Sequence, residues 1–475
     1  MSVQNLIDAN NSNAVSVNGR AMIARALISA LSAECGSYCI LSGYDQLPES
    51  FDSDIDFMVD EKDFVRLPSI VAHVAHETNT YLFQTIEHEV TARAFLLASL
   101  CGAGLTIYQL DAASDYRHFG LLWLRADEVL AARHRHARGF WIPSAAHEFA
   151  YYLIKRVNKR DFGIQHGKRL SRLYDGSEDA CDRIMARFWS PRQRIALGSM
   201  AASGNWDEMP RLLEPLRKQL RRHGAESLPQ RMASLPRRGL HVLDRVAHPT
   251  GRWIALMGPD GSGKSFAVNT IREQFASAFR DVRCFHLRPK LLRAVTRDGD
   301  PVTDPHGKAP RGFVASIAKV FYLLADYLFG YIVDIAPALI RTRLIVFDRY
   351  FYDLLVDTKR VRYGGPRWLL DLASHLLPRP DLVILLDAPP EVLWSRKQEV
   401  PFDEVVRQRE AYLQLACRLP SMIVVNSAQP VPALLHDVNG ALVAHFSRLV
   451  ARRLELEPST LPPDRIDSNP PNCPC

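Results

Sequence analysis

The sequence predicts an α/β protein whose C-terminal half is a doubly wound parallel sheet and whose N-terminal part is a smaller α+β domain with a helical extension. After Arg252, five almost continuous apolar runs alternate with longer helical stretches, as expected of parallel strands buried on both faces. Near Asp54, acidic and apolar residues alternate with the period of a half-buried strand. Because the chain has 475 residues, it is too long for one ordinary core.

The N-terminal elements follow from periodicity, in chain order. Residues 20–34 carry apolar side chains at helical spacing, and SYCILSG reads as a short strand. DSDIDFMVD is a second strand, DFVRLPSIVAHVAHE a helix and GLTIYQLD a third strand. These elements predict a compact domain over residues 1–143.

Helical patterns then dominate residues 144–240, which end in a basic stretch with Gly and Pro breakers, so we expect a helical extension and a linker. The large domain covers residues 250–454. Its strand candidates are RWIALMG, VRCFHLR, RLIVFD, DLVILLD and SMIVVN. Residues 455–475 are rich in Pro and polar residues and are predicted to be a disordered tail.

Bulk composition narrows the class of protein. The net charge of +7 suits anionic partners such as nucleotides but is too small and dispersed to indicate nucleic-acid binding. The eight cysteines include no C-x-x-C pair, which favours reduced thiols in the cytoplasm, and the N-terminus lacks the pattern of a signal peptide. The apolar segment 313–340 contains Lys319, Asp326 and Asp334, so we expect a buried helix and no membrane span.

A phosphate-binding loop is indicated by GPDGSGKS, from Gly258 to Ser265, placed between a predicted strand and a predicted helix. Its glycines let backbone N–H groups point inward to hold phosphates, and Lys264 adds a positive charge. The Ser265 hydroxyl is a candidate Mg²⁺ ligand. The nucleotide-binding candidates are Gly258, Asp260, Gly261, Ser262, Gly263, Lys264 and Ser265. The alternative is a Gly-rich turn without a ligand.

Two further segments supply candidate catalytic residues. In RLIVFDRYFYD, Asp348 ends a strand where a carboxylate reaches the metal, and Arg349 can bridge phosphate oxygens; a structural ion pair is the alternative. In PDLVILLDAPPEVLWSRKQE, Arg396 follows a short helix and could belong to a flap over the phosphates, or to a solvated helix face. Arg407 and Arg409 carry the same two interpretations.

Together these three segments resemble the thymidylate kinase family of P-loop kinases, over roughly residues 250–430. The resemblance implies ATP and Mg²⁺, with the Asp348–Arg349 pair at the transferring phosphate, Asp260 facing the sugar of the acceptor and Arg396 starting the lid. The chain departs from the family at Met257, where Glu is usual, and at FHLRPKLLRAVTRDGD, where the acceptor motif is expected. The acceptor is therefore not assigned.

A second candidate site lies near the N-terminus. Asp54 and Asp56 are one residue apart on a strand, so both side chains point to one face and a divalent cation between them is indicated. With Gly43 before them, they resemble the nucleotidyltransferase (polymerase β-like) superfamily, which implies Asp111 as the third carboxylate. The family has a small residue after the Gly, whereas this chain has Tyr44. An acidic strand edge, or a domain that keeps only the fold, is the alternative.

The sequence thus predicts an ATP-dependent phosphotransferase acting on a nucleotide, nucleoside or sugar phosphate. Two other functions stay open: nucleotidyl transfer through Asp54 and Asp56 with the P-loop domain as accessory, and an ATP-binding regulatory switch. The expected partners are a nucleotide and a small phosphate acceptor, and a homodimer is compatible with the sequence.

Overall fold

The computed structural model describes residues 3–52, 54–101, 104–118, 121–222, 243–291 and 311–456. The chain divides into two compact units. The N-terminal unit is drawn from residues 1–99, 108–242 and 450–462, and the C-terminal unit from residues 100–107 and 243–449. The predicted linker around 223–240 and all but the first two residues of the predicted tail 455–475 lie outside the described residues.

The N-terminal unit contains a five-stranded sheet, two short hairpins and eight helices among its described residues. Its elements are α1 (Val3–Glu34), β1 (Tyr38–Ser42), β2 (Asp54–Val59), α2 (Glu61–Glu77), β3 (Tyr81–Glu89), β4 (Ala92–Cys101), β5 (Gly104–Ala113), β6 (Tyr116–His118), β7 (Leu121–Leu124), α3 (Ala126–Ala131), β8 (His134–Arg135), β9 (Trp141–Ile142), α4 (Ala145–Lys159), α5 (Ile164–Tyr174), α6 (Glu178–Met185), α7 (Pro191–Ser203) and α8 (Met209–Arg222).

The sheet of this unit is mixed, with the order β1-β2-β5-β4-β3. Strand β1 pairs antiparallel with β2, and β2 pairs parallel with β5, so that Asp56 lies opposite Asp111. The β3–β4 hairpin was not predicted from the sequence. Its turn at 90–91 carries neither Gly nor Pro, and most of its two strands is buried, so both the turn signal and the alternation are weak.

Helix α4 is the element that connects the helical extension to this sheet. The Ser144 side chain caps its N-terminus by accepting a hydrogen bond from the backbone of His147. Its apolar face, with Phe149 and Leu153, joins a core that also contains Leu41 of β1 and Met58 of β2. Burial of this face fixes which side chains of α4 turn toward the ends of the strands.

The C-terminal unit is built on a parallel sheet, as predicted. Its elements are β10 (Arg252–Met257), α9 (Lys264–Gln274), β11 (Val282–His286), α10 (Phe313–Gly330), a π-helical segment (Tyr331–Ile335), α11 (Ala336–Ile340), β12 (Leu344–Asp348), α12 (Asp353–Val356), a 3₁₀ turn (Lys359–Val361), α13 (Arg367–Leu376), β13 (Leu382–Asp387), α14 (Pro390–Arg396), α15 (Phe402–Arg418), β14 (Met422–Asn426) and α16 (Val431–Arg453).

All five predicted strands are present, in the order β11-β12-β10-β13-β14, and every pair is parallel. Strand β10 lies at the centre and is buried along its whole length. Because the strand order changes direction around β10, the loop that follows it opens at the carboxyl edge of the sheet, where ligands of open α/β sheets bind.

The apolar segment Phe313–Ile340 is helical but less buried than the sequence predicted. It spans 28 residues with a mean hydropathy of 1.6, and 39% of its most apolar window is buried. By length and composition alone it could cross a membrane, which is weak evidence for a span. Two of its charged residues are paired within the unit: Asp326, which is fully buried, with Arg288, and Asp334 with Arg283.

Among the described residues the free cysteines are Cys35, Cys39, Cys101, Cys181 and Cys284.

Candidate functional site

The loop between β10 and α9 has the backbone of a phosphate cradle. The φ angles are +142° at Gly258, +85° at Gly261 and +88° at Gly263. Residues other than glycine rarely adopt these backbone conformations. At Gly258 a Cβ atom would lie 2.5 Å from the carbonyl oxygen of Leu386, so this position also requires glycine for space. The loop passes directly into α9, whose N-terminal N–H groups face the same opening.

Lys264 is folded back onto this loop. Its Nζ donates to the carbonyl oxygens of Gly258 and Pro259, at 2.9 and 2.7 Å, and the side chain is buried. Burial, together with the Arg349 guanidinium, lowers the pKa of Lys264 to about 7. An incoming phosphate would therefore find a lysine whose proton is easily lost and whose present partners are neutral carbonyl groups.

Two oxygen ligands for a divalent cation meet at the edge of the cradle. The Ser265 hydroxyl lies 3.3 Å from Asp348 Oδ2, and the other carboxylate oxygen, Oδ1, is buried without a hydrogen-bond partner among the described residues. His286, at the end of β11, lies 3.5 Å from Asp348 Oδ2. The pKa of Asp348 is lowered by His286 and by the nearby cations, although burial opposes this. A hydroxyl and a carboxylate with one unpartnered oxygen fit the hard oxygen ligands that Mg²⁺ prefers.

Arg349 adopts a φ of +71°, in the left-handed region that costs a non-glycine residue about 1–2 kcal/mol. Its backbone N–H donates to Leu256 of β10 at 2.9 Å, which fixes the turn after β12. The side chain is 5% exposed, and its guanidinium contacts Asp260 through Nη2 and Asp353 through Nη1. The Nη1 distances to the two oxygens of Asp353 are 3.0 and 3.2 Å. Strain of this kind persists where the surroundings require it, which is common at functional sites.

These residues line one cavity of about 470 Å³. The lining side chains and glycines are Asp260, Gly261, Gly263, Lys264, Ser265, Phe266, His286, Asp348, Arg349, Arg360, Arg396, Lys397 and Glu399. The cavity therefore brings together Lys264, Ser265, Asp348, Arg349 and Arg396 from three separate segments of the sequence. Arg396 is held there by donating to the carbonyl oxygen of Ser427 at 2.9 Å.

Sequence reasoning missed Arg360, His286 and Asp353. Arg360 lies on the 3₁₀ turn and donates to Asp260 Oδ2 at 2.7 Å, and Asp353 is 1% exposed beside Arg349. The only sequence signal for Arg360 and Asp353 was that both follow the D-R-Y triplet within twelve positions of Asp348.

Two basic residues that the sequence left open are held elsewhere. Arg407 is paired with Glu404, and Arg409 with Asp387, and neither lines the cavity. Arg288 donates to Asp326, 2.9 Å away. The rest of the stretch FHLRPKLLRAVTRDGD, residues 292–300, lies outside the described residues.

The second candidate site, in the N-terminal unit, contains the three carboxylates that the sequence singled out. One oxygen from each of Asp54, Asp56 and Asp111 lies within 4.8 Å of the others. The parallel pairing of β2 with β5 produces this arrangement. Burial and the neighbouring Asp56 carboxylate raise the pKa of Asp111 to about 7, because the charged form loses water and faces like charge. Ser42 Oγ donates to Asp56 Oδ2 at 2.8 Å.

Lys155 of α4 is not part of any motif described above, yet its Nζ donates to Asp56 at 2.5 Å and lies 3.9 Å from Asp54. This ammonium partly balances the three carboxylates. Beside them, Gly43 has a φ of +78°, and the Tyr44 hydroxyl donates to the buried carboxylate of Glu148.

No protein-family model matches the chain. It is similar to the probable thymidylate kinase of Thermococcus onnurineus, with 31% identity over 207 residues that cover 41% of this chain and 97% of the relative. The thymidylate kinase of Limosilactobacillus fermentum is 28% identical over 227 residues, which cover 42% of this chain and 98% of that relative.

Among solved structures, the chain is similar to the thymidylate kinase of Ehrlichia chaffeensis, with a TM-score of 0.30 and 17% identity, over 40% of this chain and 98% of that one. The sequence relationship is the decisive one, because it combines near-complete coverage of the relative with identity above 30%. The chain therefore belongs to the thymidylate kinase family, through the 41% of its length that aligns with such a relative.

Proposed function

We propose that residues 250–454 form an ATP-dependent kinase that transfers the γ-phosphate to a small acceptor. The observation that carries this proposal is the convergence of Lys264, Ser265, Asp348 and Arg349 on one cavity. The relatives named as thymidylate kinases support phosphoryl transfer to a nucleotide. We keep nucleosides and sugar phosphates as further acceptors, because the stretch after β11 departs from the family pattern.

The proposed mechanism relies on positioning and charge. Backbone N–H groups of the loop hold the β- and γ-phosphates, and Lys264 leaves its carbonyl partners to neutralise them. Ser265 and Asp348 are the residues that would hold Mg²⁺, which when bound would supply positive charge next to the phosphates. Arg349 and Arg396 stabilise the charge that spreads over the transferring phosphoryl group. Asp260 lies on the wall that the acceptor would approach.

An acceptor screen tests this proposal. The full-length protein is incubated with ATP, Mg²⁺ and a panel of nucleoside monophosphates, nucleosides and sugar phosphates, and ADP is measured. We expect one class to stimulate ADP formation, and Lys264→Ala to abolish it. Arg283→Gln, which breaks an ion pair with Asp334 outside the cavity, is the matched control and should retain it. Tight ATP binding without stimulation by any acceptor would instead favour a regulatory switch.

A second candidate function, nucleotidyl transfer by the N-terminal unit, is favoured by the convergence of Asp54, Asp56 and Asp111 within 4.8 Å. The three carboxylates repel one another, and the pKa of Asp111 is raised as a result of its burial and of this repulsion. A divalent cation bound by the three carboxylates would reduce the repulsion. Lys155 already supplies one positive charge there, so the cation would share the site with an ammonium.

Pyrophosphate release from nucleoside triphosphates separates the two functions. Nucleotidyl transfer predicts release that is lost in Asp54→Ala and kept in Lys264→Ala. Kinase activity predicts the reverse for ADP formation. If neither variant changes pyrophosphate release, or none is detected in the wild type, the second function is rejected and the kinase proposal is unaffected.

A further inference from the structure

Asp260, in the phosphate loop, is held by two different arginines through its two oxygens. Arg349 Nη2 contacts Oδ1, and Arg360 Nη2 donates to Oδ2 at 2.7 Å. The carboxylate is 17% exposed, so most of its charge is removed from water. Each arginine has a further carboxylate: Asp353 for Arg349 and Asp357 for Arg360, the latter at 3.5 Å from Nε.

In this arrangement Arg349 is not available to a phosphate. One terminal nitrogen is bonded to Asp353 and the other to Asp260. Asp353 is almost completely buried at 1% exposure, whereas Asp260 lines the cavity. Of the two contacts, the one to Asp260 is therefore the contact that Arg349 exchanges when it turns toward a phosphoryl group.

That exchange would normally be costly. A largely buried carboxylate that loses its cation keeps its desolvation penalty without compensation, so the departure of Arg349 would leave an unpaired charge beside an incoming triphosphate. The second bond, from Arg360 to Oδ2, remains in place during this movement. Arg360 is itself fixed, since its backbone N–H donates to Asp357 at 3.2 Å and its side chain is only 21% exposed.

We propose that Arg360 is a positioning residue that keeps Asp260 paired, so that Arg349 can leave that carboxylate and contact the transferring phosphate. This inference rests on the proposed kinase function. It assigns Arg360 no contact with the phosphates: its effect passes through Asp260 and Arg349. Without Arg360, Asp260 should keep Arg349 bound and so hold it away from the phosphate. Without the charge of Asp260, Arg349 should be able to reach the phosphate whether or not Arg360 is present.

The experiment measures Mg·ATP binding by calorimetry with the full-length protein. Arg360→Gln should weaken binding by at least about tenfold, as expected when one partner of a buried charge pair is lost, and Arg360→Lys should restore most of it. In the Asp260→Asn background, Arg360→Gln should change the affinity by less than about threefold, because there is no longer a carboxylate to trap Arg349. Arg283→Gln, which removes an ion-paired arginine of the same unit outside the cavity, is the control.

The double variant keeps the test decisive if Arg360→Gln alone does not fold. Asp260→Asn with Arg360→Gln removes both charges, and its affinity is compared with that of Asp260→Asn. Equal affinities support the inference, whereas a further loss of tenfold or more in the double variant, or no effect of Arg360→Gln in the native background, overturns it. If the wild type does not bind Mg·ATP, the proposed function fails; if the wild type binds and the two effects are additive, only the role of Arg360 fails.

Discussion

The Lys264 ammonium lies 2.7 Å from the carbonyl oxygen of Pro259, five residues earlier in the same loop. The side chain is 7% exposed, and no carboxylate hydrogen-bonds to this ammonium among the described residues. The lysine expected to hold phosphates is thus stored in a poorly solvated position, which lowers its pKa to about 7.

The first prediction concerns stability and pH. Between pH 7 and the usual lysine pKa, the unfolded chain binds a proton at Lys264 that the folded protein does not bind. The contribution of Lys264 to the free energy of unfolding therefore rises with pH in this range. The slope reaches at most about 1.4 kcal/mol per pH unit. Lys264→Met should therefore stabilise the free protein at pH 7, and its advantage over wild type should shrink toward pH 10. Urea unfolding of both proteins from pH 7 to 10 measures this difference.

Ser265→Ala is the control for that series, because it changes the neighbouring side chain without changing a charge. Its stability should run parallel to that of wild type across the same pH range. A constant difference between wild type and Lys264→Met from pH 7 to 10 would contradict the lowered pKa and, with it, the stored conformation of the lysine.

The second prediction concerns Mg²⁺. If Ser265 and Asp348 hold the cation, wild type should bind ATP at least about tenfold more tightly with Mg²⁺ than with EDTA, and Ser265→Ala or Asp348→Asn should lose most of that gain. Calorimetry in both buffers gives the ratio. Thr270→Val, which removes a hydroxyl from the same helix that donates only to Phe266, should keep the wild-type ratio. An unchanged ratio in both site variants would place the cation elsewhere.

The sequence was sufficient for the parts of the fold that rest on local pattern. Five continuous apolar runs predicted the parallel strands, and glycine spacing predicted the cradle, because both signals are set within a few residues. Asp111 was named through the resemblance to nucleotidyltransferases, and in the structure β5 places it opposite Asp56; its role as a third ligand stays a prediction.

The contacts that the sequence did not reveal join segments far apart in the chain. Lys155 approaches Asp56 across 99 residues, and Arg360 approaches Asp260 across 100. Neither position belongs to a motif. Their orientation depends on which helix face is buried and where a loop closes, which are tertiary properties that periodicity does not encode.

The third prediction concerns Asp111. Its pKa of about 7 lies above the value of an unfolded aspartate, so between roughly pH 4 and 7 the folded protein binds the extra proton and stability falls as pH rises. Above pH 7 the charged carboxylate is fully destabilising. Asp111→Asn should therefore raise the melting temperature at pH 8 in EDTA and have little effect at pH 4.

Added Mn²⁺ provides the second measurement on the same variant. If the three carboxylates bind a cation, Mn²⁺ should raise the melting temperature of wild type, because a ligand that binds only the folded state stabilises it. Asp111→Asn should lose that response. Glu178→Gln, on α6 outside the carboxylate cluster, should keep it. A full response in Asp111→Asn would exclude this aspartate as a ligand.

The fourth prediction separates the two requirements that glycine meets in the phosphate loop. Gly258→Ala imposes both a positive φ and a contact of 2.5 Å between Cβ and the Leu386 carbonyl oxygen, which belongs to β13 and cannot move without disturbing the sheet. Gly204→Ala, at the end of α7, imposes only the φ, since nothing lies within 4 Å of its Cβ.

We expect about 1 kcal/mol of destabilisation for Gly204→Ala and at least about twice that for Gly258→Ala, by urea unfolding. Because the clash displaces the phosphate loop itself, Gly258→Ala should also abolish ATP binding, whereas Gly204→Ala should leave ATP binding intact. Equal free energies of unfolding for the two variants would mean that the loop rearranges freely and would contradict this prediction.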